Sequence, residues 1–171
     1  MAPQPEQYDP ADKPWYAVFG PDDGEHHWQP LPSRGYVTLK LTPEEMPYDT
    51  FTCGTQVLPP GCHVREHTHP QNHELVFVYE GTGRLTLEGN TYDIEKGSMA
   101  LFGRHASQMV ENTGDEDLKL FFVVLPPGLE NWFRGLGRPR EVGQPMPEAF
   151  ERPKDIKKLM EKVGVAPPPK K

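Results

Sequence analysis

The stretch Gly61-Cys62-His63-Val64-Arg65-Glu66-His67-Thr68-His69-Pro70-Gln71-Asn72-His73-Glu74-Leu75-Val76-Phe77-Val78-Tyr79-Glu80-Gly81 decides how this chain is read. On an extended strand, residues two apart project to the same side, so His67 and His69 enter one space. Pro70 starts a turn, and five residues after His69 the apolar run Leu75–Tyr79 is introduced by Glu74, with Val76 and Val78 on its face. A run of this length bounded by turn residues reads as a buried strand.

Working outward, short apolar alternations recur between glycine turns. Tyr36–Lys40 and Phe51–Val57 read as strands before the quoted segment. Arg84–Glu88, Thr91–Ile94, Met99–Phe102, Ser107–Val110 and Leu118–Val124 read as strands after it. Proline placement agrees: of 21 prolines, eleven fall in 1–60, nine in 126–171 and one, Pro70, in the 65 residues between Gly61 and Leu125. Proline cannot donate to a β ladder, so the middle is the sheet-forming body. The expected architecture is all-β, a jelly-roll barrel over 34–127, with a Pro-rich N-terminal arm over 1–33 packing on it. A C-terminal extension over 128–171 follows, its tail Ala166–Lys171 expected to be mobile. That extension holds one short helix: Pro153 suits a first position, Ile156, Leu159, Met160 and Val163 recur at helical spacing, and Gly164 supplies the stop. Its apolar stripe fits capping of the barrel and fits a lid over a pocket.

The net charge of −7 argues against sequence-independent nucleic-acid binding, which needs a basic surface. No stretch reaches the ~20 apolar residues of a membrane span, and Met1–Gln7 lack a signal-peptide pattern. Two cysteines, Cys53 and Cys62, are too few for a disulfide scaffold and fit a reduced, cytoplasmic setting.

The convergence of two imidazoles and a carboxylate suits one divalent transition metal ion such as Fe, Ni, Mn, Co or Zn. Here the segment resembles the first motif of the cupin superfamily, G-x5-H-x-H-x3–4-E-x6-G, matched at Gly61, His67, His69, Glu74 and Gly81. The resemblance implies a double-stranded β-helix, the cupin form of the jelly roll. The family's second motif, G-x5-P-x-G-x2-H-x3-N, is half present. Gly97 and Asn112 match, Gly103 and His105 replace the proline and glycine, and Gln108 stands at the third histidine. Three arrangements stay open: Gln108 ligates through its amide oxygen, the site stays three-coordinate with open positions, or His105 swings in. The metal set is therefore His67, His69, Glu74 and Gln108, with His105 as the surrogate.

The other polar residues have plainer readings. His73 points outward; His63 and Arg65 share the parity of His67 and stand either at the pocket mouth or on the surface. His26 and His27 follow the loop Gly20–Glu25 and read as solvated, Cys53 and Cys62 pack, and Phe51, Phe77, Phe102 and Phe122 belong mostly to the core. The segment Pro126–Pro139 is similar to the one that follows the last barrel strand in quercetin dioxygenase-like cupins. The resemblance implies a metal-dependent dioxygenase that acts on a small aromatic or enolic compound, flavonol- or diketone-like, with O2. Glu74 is then both ligand and catalytic base, and the assembly a homodimer. Two alternatives remain: a non-oxidative isomerase, lyase or hydrolase using the ion as a Lewis acid, and a non-catalytic small-molecule binder.

Overall fold

The computed structural model describes residues 16–46 and 50–168. Its strands are β1 (Glu25–Trp28), β2 (Tyr36–Leu41), β3 (Thr52–Leu58), β4 (His63–His67), β5 (His73–Glu80), β6 (Thr82–Leu87), β7 (Asn90–Glu95), β8 (Met99–Phe102), β9 (Gln108–Glu111), β10 (Leu118–Leu125) and β11 (Arg138–Pro139). Two helices follow the barrel, α1 (Leu129–Leu136) before β11 and α2 (Ile156–Val163) after it. The strands pair antiparallel in two sheets, β11-β1-β2-β3-β10-β5-β8 and β4-β9-β6-β7. The body is therefore the expected all-β double-stranded β-helix. No helix among the described residues is long and apolar enough to cross a membrane.

Alternation explains the packing. In β5, Glu74, Val76 and Val78 are buried while His73, Phe77 and Glu80 are exposed; in β10, Leu118, Leu120, Phe122 and Val124 turn inward. These inner faces and Leu85, Phe102 and Val110 form one core between the sheets. Gly81 makes the β5–β6 turn at φ 83°, and a Cβ there would stand 2.4 Å from the Asp117 carbonyl oxygen, so a side chain is excluded twice over.

Several expectations are corrected. The helix α1 was not anticipated. It buries Leu129, Trp132, Phe133 and Leu136 on the barrel, with the Phe133 ring 5.5 Å from that of Phe122. His26 and His27 stand on β1 and are not simply solvated: His27 is buried against Glu25 at 2.7 Å, and half-buried His26 has Nδ1 2.8 Å from Thr38 Oγ1. Arg134 of α1 clamps the same Glu25 at 2.7 and 2.9 Å, tying the end of the barrel to β1. Phe77 is 37% exposed because it shares the outward parity of His73, so it is not core. The tail is tied down at Ala166, which bridges Thr68 through paired backbone bonds of 2.9 and 3.0 Å; residues 169–171 lie outside the described ones, as do 1–15 of the expected arm.

The α2 helix carries the expected stripe but starts at Ile156 behind Asp155, with Pro153 outside it, and ends at Gly164 in the left-handed conformation, φ 70°. Its stripe of Ile156, Leu159, Met160 and Val163 packs partly buried on the core, with Leu159 against Gly135 of α1. A Cβ at Gly135 would lie 2.7 Å from Leu159 Cδ1, so the small residue lets the helices approach. The helix and the segment behind it lie across the end of the barrel that holds His67.

Candidate metal centre

His67 ends β4, and its inward aim depends on a bulge. Val64 pairs with Val110 and His67 with Gln108, three steps on β4 against two on β9. One extra residue reverses the parity, so Val64 and His67 both face inward and Arg65 and Glu66 are both exposed. His63 and Arg65 therefore do not share the face of His67, contrary to the unbroken alternation expected from sequence. Thr68 then pairs with Ala166, and His69 is buried at 3% exposure. Glu74 arrives from the other sheet, on β5 between β8 and β10, where it pairs with Phe102 and Val124.

The donor atoms converge. His67 Nε2 and His69 Nε2 are 3.1 Å apart, with the rings edge to face, and His69 Nε2 is 3.2 Å from Glu74 Oε2. His67 Nδ1 lies 2.8 Å from the Arg65 carbonyl oxygen, which only accepts; the proton is therefore on Nδ1 and the lone pair of Nε2 faces the cluster. Burial first, and then His69, pushes the His67 ring down to about 4, against the pull of Glu74, so the imidazole is neutral near pH 7. Burial alone would raise the Glu74 carboxyl; the hydrogen bond and charge of His69, with His67 and the Gln108 amide, outweigh it and hold the group below its ordinary value.

These residues fit an ion. Two donors bound to one ion at about 2.1 Å stand about 3.0 Å apart at a right angle and about 3.4 Å apart at a tetrahedral angle, which brackets the 3.1 and 3.2 Å from His69 to His67 and to Glu74. Two imidazoles with one ionised carboxylate are a donor set for Fe, Mn, Co, Ni or Zn that leaves positions open. Among the described residues, His67, His69 and Glu74 are the one such group whose ligand atoms meet, all within 4.8 Å.

Gln108, buried at 2% exposure, points at the same centre. Its Nε2 donates to Glu74 Oε2 at 2.6 Å and stands 3.3 Å from His67 Nε2, while Oε1 has no partner. The amide thus anchors the carboxylate in this arrangement, and its unpaired oxygen is the atom that a turn of the amide would bring to the donors. His105 takes no part: its ring is exposed, its backbone adopts φ 65°, and its N–H donates to the His69 carbonyl at 3.1 Å. His73 faces outward, as expected. Asn112 shapes the turn behind β9, donating to the Leu58 and Glu116 carbonyls at 2.7 and 2.8 Å.

The donors open on a cavity of about 60 Å³ lined by Phe102, Phe122, Trp132, Phe133 and other largely apolar side chains. Arg152, on the loop before α2, also lines it and was missed from sequence. Its guanidinium carbon stands 5.6 Å from the centre of the Trp132 ring. Burial first, and then the neighbouring Arg65, lowers it to about 10. No local signal marks it, because β4, where it lies against His67 and Arg65, is more than eighty residues away in the chain.

Fold and site together define a small jelly-roll protein with a buried two-histidine, one-carboxylate centre. Residues 54–124, somewhat under half of the chain, match the family model described as Cupin domain. It is 28% identical over 92 residues to a Streptomyces cyaneus protein described as Polyketide synthase CurC, an overlap of 54% of this chain and 60% of that one. It is 32% identical over 84 residues to a 5-nitrosalicylic acid 1,2-dioxygenase of a Bradyrhizobium species, covering 49% of this chain and 40% of that protein. The chain thus spans less than two thirds of both, 60% of the first and 40% of the second. Among solved structures it resembles a sugar phosphate isomerase from Silicibacter pomeroyi, with TM-score 0.55 and 18% identity over 64% of this chain and 75% of that one, a likeness of fold.

Proposed function

We propose that this cupin is a metal-dependent dioxygenase acting on a small aromatic or enolic compound. The observation that carries this reading is the meeting of half-buried His67 and buried His69 with one ionised carboxylate, at an aromatic-lined cavity that His67 and Glu74 line. The partial similarity to the Bradyrhizobium dioxygenase supports the oxidative form. A divalent redox ion held by His67, His69 and Glu74 supplies Lewis acidity toward an enolate or diketone oxygen and the electrons that O2 chemistry needs.

The remaining work falls to the chain. Phe102, Phe122 and Trp132 exclude water and seat an apolar ring. Glu74 is ligand first and then base, taking the hydroxyl or enol proton of the substrate on its carboxylate. The bond from His69 that keeps this carboxyl low needs a proton on Nε2, and an imidazole that ligates through Nε2 has none. The positive charge of a bound ion would nonetheless hold the Glu74 carboxyl lower still, so Glu74 would serve as base only when it detaches from the ion. Gln108 holds its Oε2 in place meanwhile.

Two further readings accompany this one. Cys53 and Cys62 are both free, with thiols pushed up by burial, which supports a cytoplasmic setting. Phe77, Met99 and Leu101 form an outward apolar patch across β5 and the edge strand β8, which supports a homodimer.

The test is oxygen consumption by protein loaded anaerobically with Fe(II), Mn(II), Co(II) or Ni(II) and offered flavonols, 1,3-diketones and hydroxylated aromatic acids. Metal-dependent O2 uptake matched to product is expected. Turnover at the same rate without O2 would replace the oxidative reading with Lewis-acid chemistry, and binding without turnover would make the protein a carrier.

A further inference from the structure

Three hollows meet around one side chain. The inner cavity of about 60 Å³ holds Glu74 and Gln108. A second of about 220 Å³ lies between His67, Trp132 and Met160, and an outer groove of about 770 Å³ runs along α2 past Ile156 and Met160. Among the described residues, Arg152 is the one that lines all three. It stands at the neck between the donors and the surface.

Its surroundings are wrong for a structural arginine. Among the described residues, no carboxylate lies within ion-pair distance of its guanidinium, whereas Arg134 has both Glu25 and Glu44. The Nε of Arg152 is buried without a hydrogen-bond partner. The carboxylate nearest the neck on β4, Glu66, is engaged by the Ser107 hydroxyl at 2.6 Å. Glu151 and Glu161 line only the outer groove. Its charged neighbour is another cation, Arg65, and inward lies the His67 cluster. A divalent ion there would be only half neutralised by Glu74, so the neck would then carry excess positive charge from both sides. A buried guanidinium donor without an acceptor is costly, and the acceptor that best matches its planar fork is a carboxylate.

Resting on the reading of His67, His69 and Glu74 as a metal centre, we propose that the substrate is an acid, an aromatic or enolic carboxylate whose charged group is bound by Arg152 at this neck. The Trp132 ring beside the guanidinium backs the same group and lies where the apolar part of the ligand turns inward. Recognition of the carboxylate by Arg152 leaves the opposite end of the molecule for the donors.

The test is binding without turnover, measured calorimetrically under argon on metal-loaded protein. The probes are benzoate, salicylate and 2-naphthoate, each paired with its uncharged primary amide. At least one acid is expected to bind about tenfold or more tightly than its amide, as for a charge-assisted bond. In Arg152→Gln that preference falls to within about twofold with amide binding retained, and in Arg152→Lys it is intermediate. Metal content by elemental analysis stays equal in all three proteins. No preference for any acid in the wild type, or a preference that survives in Arg152→Gln, overturns the proposal; so does loss of metal from Arg152→Gln. The dioxygenase reading fails separately, in O2 consumption: an acid preference without O2 uptake removes that reading and leaves Arg152 as the anion site.

Discussion

Nε2 of Gln108 stands 2.6 Å from Oε2 of Glu74, while across the strand pair Gln108 sits in register with His67. One neutral side chain thereby touches both kinds of donor. Gln108→Ala should weaken metal binding about tenfold, the scale on which partners of ligands act, and by less than loss of His67 or His69. Gln108→His places imidazole at that position and should tighten Fe, Ni or Cu. Competition titrations against a chromogenic chelator measure both. No change in Gln108→Ala would show that the amide serves packing alone.

His67→Ala and His69→Ala should each strip most of the ion and leave the barrel folded, because the core is built from Leu39, Leu118, Phe122 and their neighbours. Elemental analysis beside far-ultraviolet circular dichroism separates the two effects. Full metal occupancy in both variants would dismiss the site.

The lowered His67 ring gives a signed pH effect in the metal-free protein. Its value is about 4 when folded, against an ordinary 6.5. Between these values the unfolded chain binds the extra proton, so stability rises with pH through this window and falls on acidification. Urea midpoints taken in chelator from pH 6.5 to 4.5 should show that slope, and His67→Gln should flatten it. Equal slopes would mean that the ring is solvated.

The tail closes over the donors through Thr68, the residue between the two histidines. Ala166→Pro removes the N–H that reaches the Thr68 carbonyl at 3.0 Å. One such bond contributes about 1 kcal/mol, so the melting temperature should drop slightly. Removal of preloaded ion by chelator should accelerate several-fold. An unchanged rate would show that the ion leaves by another route.

Charge on the outer patch tests assembly. Met99→Glu with Leu101→Glu, at residues 67% and 65% exposed, should convert a dimer to a monomer in light scattering without loss of metal. A wild-type monomer at micromolar concentration would remove the dimer reading.

Much of this was legible in the chain because strand parity is local. Glu74, Val76 and Val78 face inward as period two requires, and so do Gln108, Val110 and Asn112. What failed depended on partners. The reversal at Arg65-Glu66 exists only against the register of β9, so no inspection of His63–His67 could show it. The eight-residue helix α1 carries Gly135, a weak helix former, and is justified by what it covers and by Leu159 opposite. His27 is buried because Glu25–Trp28 finds β2 on one side and β11 on the other. Arg152 belongs to the neck only after α2 has folded back.

The two histidines come from the edge strand of one sheet and its continuation, and Glu74 from an interior strand of the other. An ion held by all three is thus a rivet through the sandwich, and neither sheet can slide over the other without shearing a coordinate bond. Occupancy then becomes a mechanical property of the whole barrel. At free ion a thousandfold above its dissociation constant the folded state gains about 4 kcal/mol, enough for metal supply in the cell to decide how long each molecule survives.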